Sequence, residues 1–179
     1  MATTKLWTIE ELERTSLDGR YELIDGELME MAPAGGEHGE IGLGFGARLW
    51  LYVREQRLGK VYGADTGFVL ASNLLVSPDV AFVRFDRLPT PAEQQMWLRL
   101  APDLAVEIVS PTDSLAEVRA KVERYLDNGV PLVWVFQPRP KTVSVFGPDR
   151  TERILVDGDV LDGGDVLPGF QVAVSDIFE

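Results

Sequence analysis

The chain has 179 residues, 45% of them hydrophobic, with no cysteine and a single histidine, His38. That length fits one domain spanning 1–179 with a sizeable core; the absence of cysteine excludes disulfide frameworks and thiolate zinc sites, and the single histidine disfavours a polyhistidine metal site, so any metal must be held mostly by oxygen, as Mg²⁺, Ca²⁺ or Mn²⁺ are. Lys and Arg total 17 against 29 Asp and Glu, a formal charge of −12, which favours solubility and opposes non-specific binding to nucleic acid.

The first stretch, MATTKLWTIEELER, has no long apolar core and no cleavage signal, and no later apolar run reaches the roughly 20 residues a membrane helix needs. A soluble, cytoplasmic protein is expected. Thr8 and Glu11 have the spacing of a capping box, which predicts a short helix ending before Asp18-Gly19. YELIDGELMEM, at 21–31, predicts a hairpin turning at Asp25-Gly26. A helix follows over 36–57, with His38, Ile41, Phe45, Leu49 and Tyr52 on one stripe. Gly39, Gly42, Gly44 and Gly46 interrupt it, each costing about 0.5–1 kcal/mol relative to alanine, and close packing against a neighbour is the expected reason. A phosphate-cradling loop at GLGFG is disfavoured, because no strand leads into it and the spacing fits neither nucleotide fingerprint.

Residues 60–83 read as strands, and 86–100 as loop with one turn of helix. PDLAVEIVSP reads as a buried strand, although Glu107 stands in its middle. The clearest helix is SLAEVRAKVERYLDNG, with Ser114 and Glu117 as capping box, a stripe of Leu115, Val118, Val122, Tyr125 and Leu126, and Gly129 at its end. PLVWVF and KTVSVF predict paired strands, and RILVDGDVL a further hairpin about Asp157-Gly158. The pattern is α+β, with a central mixed sheet and few helices.

Alternation puts Ala105, Glu107 and Val109 on one face of their strand, and Asp79, Ala81 and Val83 on one face of theirs. If the strands are neighbours, both carboxylates point at one spot. Two carboxylates in a low dielectric repel each other, so one takes up a proton or a cation sits between them. Mg²⁺ commonly uses one or two carboxylates plus water. Lys121, between Val118 and Tyr125 on the next helix, borders the buried stripe and can reach the same place. Such an acid–acid–lysine cluster suits phosphodiester hydrolysis. The plainer alternatives are a turn-capping Asp79, a Glu107 facing water at a sheet edge, and a solvated Lys121.

These segments together resemble the Uma-two family of restriction endonuclease-like proteins, within the PD-(D/E)XK nuclease superfamily. The likeness rests on YELIDGEL at 21–28, His38 opening the glycine-rich helix and SPDVAFV at 77–83. It continues through PDLAVEIVSPTDS at 102–114, Lys121 and Tyr125, GVPLVWVF at 129–136 and LPGF at 167–170. The resemblance implies a restriction endonuclease-like α/β/α core, a central four-stranded mixed sheet flanked by helices, with additional β-hairpins at both ends. It implies Mg²⁺-dependent cleavage of nucleic acid, DNA foremost, with Mn²⁺ as a substitute cation. Asp79 and Glu107 would ligate the metal together with the Ile108 carbonyl. The superfamily places its lysine two residues after the second acid, where this chain has Val109. Members of this family place it on the following helix, which makes Lys121 the candidate. Glu22 and His38 are secondary candidates, as accessory ligand or general base. Tyr125, one turn after Lys121, is in reach of a hydrogen bond within the site, but core packing is the preferred role. A homodimer is expected by analogy with duplex-cleaving enzymes.

Two rivals remain. One is a catalytically inactive binding or regulatory module on the same fold, which the charge of −12 favours. A basic cleft around Glu107 would speak for the nuclease and an acidic one for the module. The basic residues expected near the site are Arg119, Lys121 and Arg124, with Arg139 and Lys141 from the next hairpin. The other rival, a glycosidase, needs a groove lined with aromatics, and the four tryptophans do not lie near the acids in sequence.

Overall fold

The computed structural model describes residues 5–179; residues 1–4, part of the stretch read above for a signal peptide, lie outside them. In chain order the elements are α1 (Ile9–Glu13), β1 (Tyr21–Ile24), β2 (Glu27–Glu30), α2 (Gly36–Glu55), β3 (Gly59–Gly63), β4 (Phe68–Ala71), β5 (Leu74–Val76) and β6 (Val80–Arg84). Then come β7 (Leu104–Ile108), α3 (Leu115–Asp127), β8 (Val133–Gln137), β9 (Thr142–Phe146), β10 (Glu152–Leu155), β11 (Val160–Gly163) and β12 (Leu167–Ala173). No helix among the described residues is long and apolar enough to cross a membrane.

The fold is α+β. Its main sheet has six strands in the order β10-β9-β8-β7-β6-β3. The β7–β8 pair is parallel and the others are antiparallel, with α3 as the crossover that a parallel pair requires. The expected four-stranded mixed core is its β8-β7-β6-β3 portion, which β9 and β10 lengthen on one side. A second sheet, β2-β1-β5-β4, packs with α1, and β11 and β12 form a separate hairpin.

The central strands read as unbroken apolar runs because both their faces are covered. Val80, Phe82, Leu104, Val106, Ile108, Trp134 and Phe136 face α2, whose Ile41, Phe45, Leu49 and Val53 pack on them. Phe45 meets Trp134, Phe136 and Phe170 edge to face. The alternate residues Ala81, Val83, Ala105, Val133 and Val135 face α3 through Val122 and Tyr125. Alternation therefore delivers Glu107, two residues after Ala105, to the α3 side.

Local signals held where the turn or cap is itself the structure. Both capping boxes form, at Thr8–Glu11 and Ser114–Glu117. Asp25 and Gly26 take φ of 53° and 87°, both left-handed, as a two-residue hairpin turn demands. Two expectations are corrected. RILVDGDVL is not a hairpin: β10 pairs with β9, and β11 with β12. The bend does form, the Asp159 amide donating to the Val156 carbonyl at 3.0 Å, but buried Leu155 and Leu161 enter the core from different sheets. Leu115 is 75% exposed and leaves the α3 stripe, being the first residue of the helix and clear of the sheet.

Candidate functional site

Glu107 is buried in the middle of the main sheet, not at a water-facing edge. Its carboxylate is met by the two α3 residues that face it one turn apart. The Lys121 ammonium lies 2.9 Å from Oε2, and the Tyr125 hydroxyl donates to Oε1 at 2.5 Å. Tyr125 thus packs in the core, as expected, and also closes the site with its hydroxyl. Lys121 also lies 3.4 Å from Glu22 Oε1. Glu22, on β1 in the second sheet, is held by the Ser77 amide at 2.8 Å. Asp79 stands immediately before β6. Its Oδ2 accepts from the Ile108 amide at 2.7 Å, replacing a ladder partner that β6 does not extend far enough to supply, and lies 3.2 Å from His38 Nε2. Asp79 therefore caps no turn of its own; its carboxylate completes the ladder of a neighbouring strand.

The structure brings Glu22, His38, Asp79, Glu107 and Lys121 together in the lining of one cleft of about 990 Å³. Burial pushes the Glu107 carboxyl up to about 7. Lys121 opposes that shift, while the Asp79 and Glu22 charges add to it. Burial alone would lower the Lys121 ammonium, but Glu107 and Glu22 outweigh it and hold the proton on. His38 is raised from 6.5, first by its hydrogen bond to Asp79 and against its own burial, with the Ile108 backbone adding in the same direction. Burial and the neighbouring Glu107 push Tyr125 well above the ordinary phenol range, so it stays a donor.

The donor chemistry suits a hard cation. Three carboxylates face one lysine, and Asp79 Oδ1 and Glu22 Oε2 carry no hydrogen bond among the described residues. No group of three or more His, Cys, Asp or Glu among the described residues is placed to hold a metal ion by itself. The fit is to a cation that takes one or two carboxylates and completes its shell with water and substrate oxygens.

The rest of the cleft was not legible in the sequence. Gly39, Gly42 and Gly46 line it with Trp50, and Arg20 reaches it from beside β1. A Cβ at Gly42 or Gly46 would meet Ile108 at 3.4 Å or Val80 at 3.5 Å, which is ordinary contact. At Gly39 and Gly44 it would meet nothing within 4 Å. Close packing therefore does not explain the glycines; at 39, 42 and 46 they leave the cleft wall bare. Trp50 shares the cleft with acids far from it in sequence. The expected basic flank is largely spent on ion pairs, with Arg119 3.9 Å from Glu152 and Arg124 3.4 Å from Asp25. The lining carries Glu22, Glu30, Asp79, Glu107 and Asp113 against Arg20, Lys121 and His38, so the cleft is acidic.

Among solved structures the chain is similar to a protein from Anabaena variabilis described as “a putative nuclease”, with a TM-score of 0.84 and 20% identity. The match covers 96% of this chain and 97% of that one, and establishes the shared fold. No curated protein matches. Over residues 8–175 the sequence matches the model of the Uma2 family, described as “putative restriction endonuclease”, and the chain belongs to that family.

Proposed function

We propose that this chain is a metal-dependent nuclease that hydrolyses phosphodiester bonds in nucleic acid, with DNA as the first substrate to test. The observation that carries the reading is the gathering of Glu22, Asp79 and Glu107 about a charged, half-buried Lys121 in an open cleft. Each carboxylate has a partner of its own, Glu22 the Ser77 amide, Asp79 the Ile108 amide and Glu107 Lys121 and Tyr125, but among the described residues Asp79 Oδ1 and Glu22 Oε2 are left open beside them for a cation. Membership of the family supports the same reading.

In this proposal Asp79 and Glu107, with the Ile108 carbonyl, hold Mg²⁺ or Mn²⁺. Such a cation, when bound, polarises a phosphate and lowers the pKa of a bound water. Lys121 keeps its proton and stabilises charge developing on the phosphoryl oxygens or orients the attacking water. Tyr125 fixes the Glu107 carboxylate so that its other oxygen stays with Lys121. His38 is a poor general base at neutral pH, because Asp79 holds its proton in place; it serves better as a positioning residue for Asp79.

The acidity of the cleft favours a second reading, the inactive binding or regulatory module, since an acidic surface repels phosphates until a cation is bound. One assay separates the two. Supercoiled plasmid and single-stranded oligonucleotides are incubated with the protein in Mg²⁺, Mn²⁺ or EDTA. The nuclease reading expects cleavage with metal, none in EDTA, and a loss of about a hundredfold or more in Lys121→Ala. No cleavage of any substrate by a protein that binds metal would transfer the weight to the module.

A further inference from the structure

The acidic cleft cannot by itself hold a polyanion, so the grip on substrate has to come from another surface. Six cations have no carboxylate partner among the described residues: Arg14, Arg54, Arg57, Lys60, Arg139 and Lys141. Arg54, Arg57 and Lys60 line a single pocket of about 530 Å³ between the end of α2 and β3. Its lining holds no Asp or Glu, and it includes Trp50 and Phe85, which are 45% and 70% exposed. Arg54 stacks 5.0 Å from the centre of the Trp50 ring. A helix dipole accounts for cations at the end of α2. It does not account for Lys60, which lies on β3, nor for two large aromatic side chains left in water.

Trp50 and Val61 line both this pocket and the acidic cleft, so the two are continuous. From His38 to Trp50 the helix rises about 18 Å, at about 1.5 Å per residue. That distance holds about five stacked nucleotides, at about 3.4 Å each.

We propose that the Arg54–Arg57–Lys60 pocket is an anchoring subsite for single-stranded nucleic acid, several nucleotides away from Asp79 and Glu107 in the cleft. The inference rests on the nuclease reading for the direction of the strand, but its ligand class stands on the pocket. Cations without carboxylate partners meet phosphates, Lys60 exchanging its hydrogen bond to the Gln94 side chain for one, and exposed rings offer stacking to bases, whose faces are free only in an unpaired strand. The bare glycine wall of α2 leaves the strand a path between the two sites.

The test uses the whole protein, a fluorescein-labelled deoxythymidine oligonucleotide and anisotropy in EDTA, repeated over a series of salt concentrations. Arg54→Ala/Lys60→Ala removes two of the three cations, both exposed, so folding is not at risk. Arg139→Ala/Lys141→Ala removes the same charge from the β8–β9 turn and serves as control. The expected result is weaker binding by about tenfold in the pocket variant, with a salt slope smaller by about 1.4, and no comparable change in the control. Phe85→Ala should weaken binding about tenfold with the slope unchanged. Equal losses in both double variants, no binding by the wild type, or tighter binding of a duplex of the same length would overturn the subsite. Cleavage measured on the same oligonucleotide with Mn²⁺ separates the two proposals. Cleavage with pocket-independent binding removes the subsite and leaves the nuclease; pocket-dependent binding without cleavage does the reverse.

Discussion

Glu107 is tolerated inside an apolar strand because every atom of its carboxylate is used. Tyr125 takes one oxygen and Lys121 the other, and Lys121 is shared with Glu22. Removing one partner of such a buried pair leaves an uncompensated charge. Lys121→Met should therefore destabilise the metal-free protein by about 3 kcal/mol in urea unfolding. Tyr125→Phe keeps the ring in the core and should cost only about 1–2 kcal/mol. If Lys121→Met is neutral, the ion pair does not hold the site together. The pH dependence has a definite sign. The folded state raises Glu107 from 4.5 to about 7, so the folded chain holds that proton more tightly than the unfolded one. Stability from this group is present below pH 4.5 and is lost as the pH rises to about 7, a loss of about 3 kcal/mol. His38, also raised, loses its contribution in the same direction above 6.5. Without metal, the wild type should lose more stability between pH 5 and pH 8 than Glu107→Gln does. Parallel curves would mean that Glu107 is not perturbed.

Glycines show at the element scale why sequence and structure agree in some places and part in others. At Gly39 a methyl group meets open space, so Gly39→Ala should stabilise α2 by about 0.5–1 kcal/mol while narrowing the cleft. At Gly59 it would meet the Val83 carbonyl at 2.0 Å, and Gly59→Ala should cost several times more, as thermal unfolding of the two variants would show. A sequence displays both as glycine. The elements that were legible carry their own local chemistry: two capping boxes, the Asp25-Gly26 turn, and an α3 stripe of period near 3.6. Asp79 and Glu107 were legible as a pair because alternation predicts facing, and β6 does pair with β7. What was not legible depends on pairing at a distance. The bend at Asp157-Gly158 has hairpin chemistry, yet the ladder on each side goes to another strand. Glu22 was named only through the family resemblance, and the places of Arg20 and Trp50 depend on how a second sheet and a long helix close over the first, which no local period records.

Across the whole molecule the charge of −12 is unevenly spent. Most cations are paired with carboxylates, the cleft is acidic, and three of the cations without a carboxylate partner gather in the pocket that adjoins it through Trp50 and Val61. A cation-loaded cleft with a basic, aromatic anchor beside it is a consistent design for a nuclease on an acidic protein. An acidic cleft that binds no cation is not. The decisive measurement is calorimetric titration of Mn²⁺ into the wild type, Asp79→Ala and Glu107→Gln. The account predicts binding to the wild type that disappears in both variants, because the two carboxylates form one site. Binding unchanged in either variant, or none to the wild type at millimolar Mn²⁺, would contradict it.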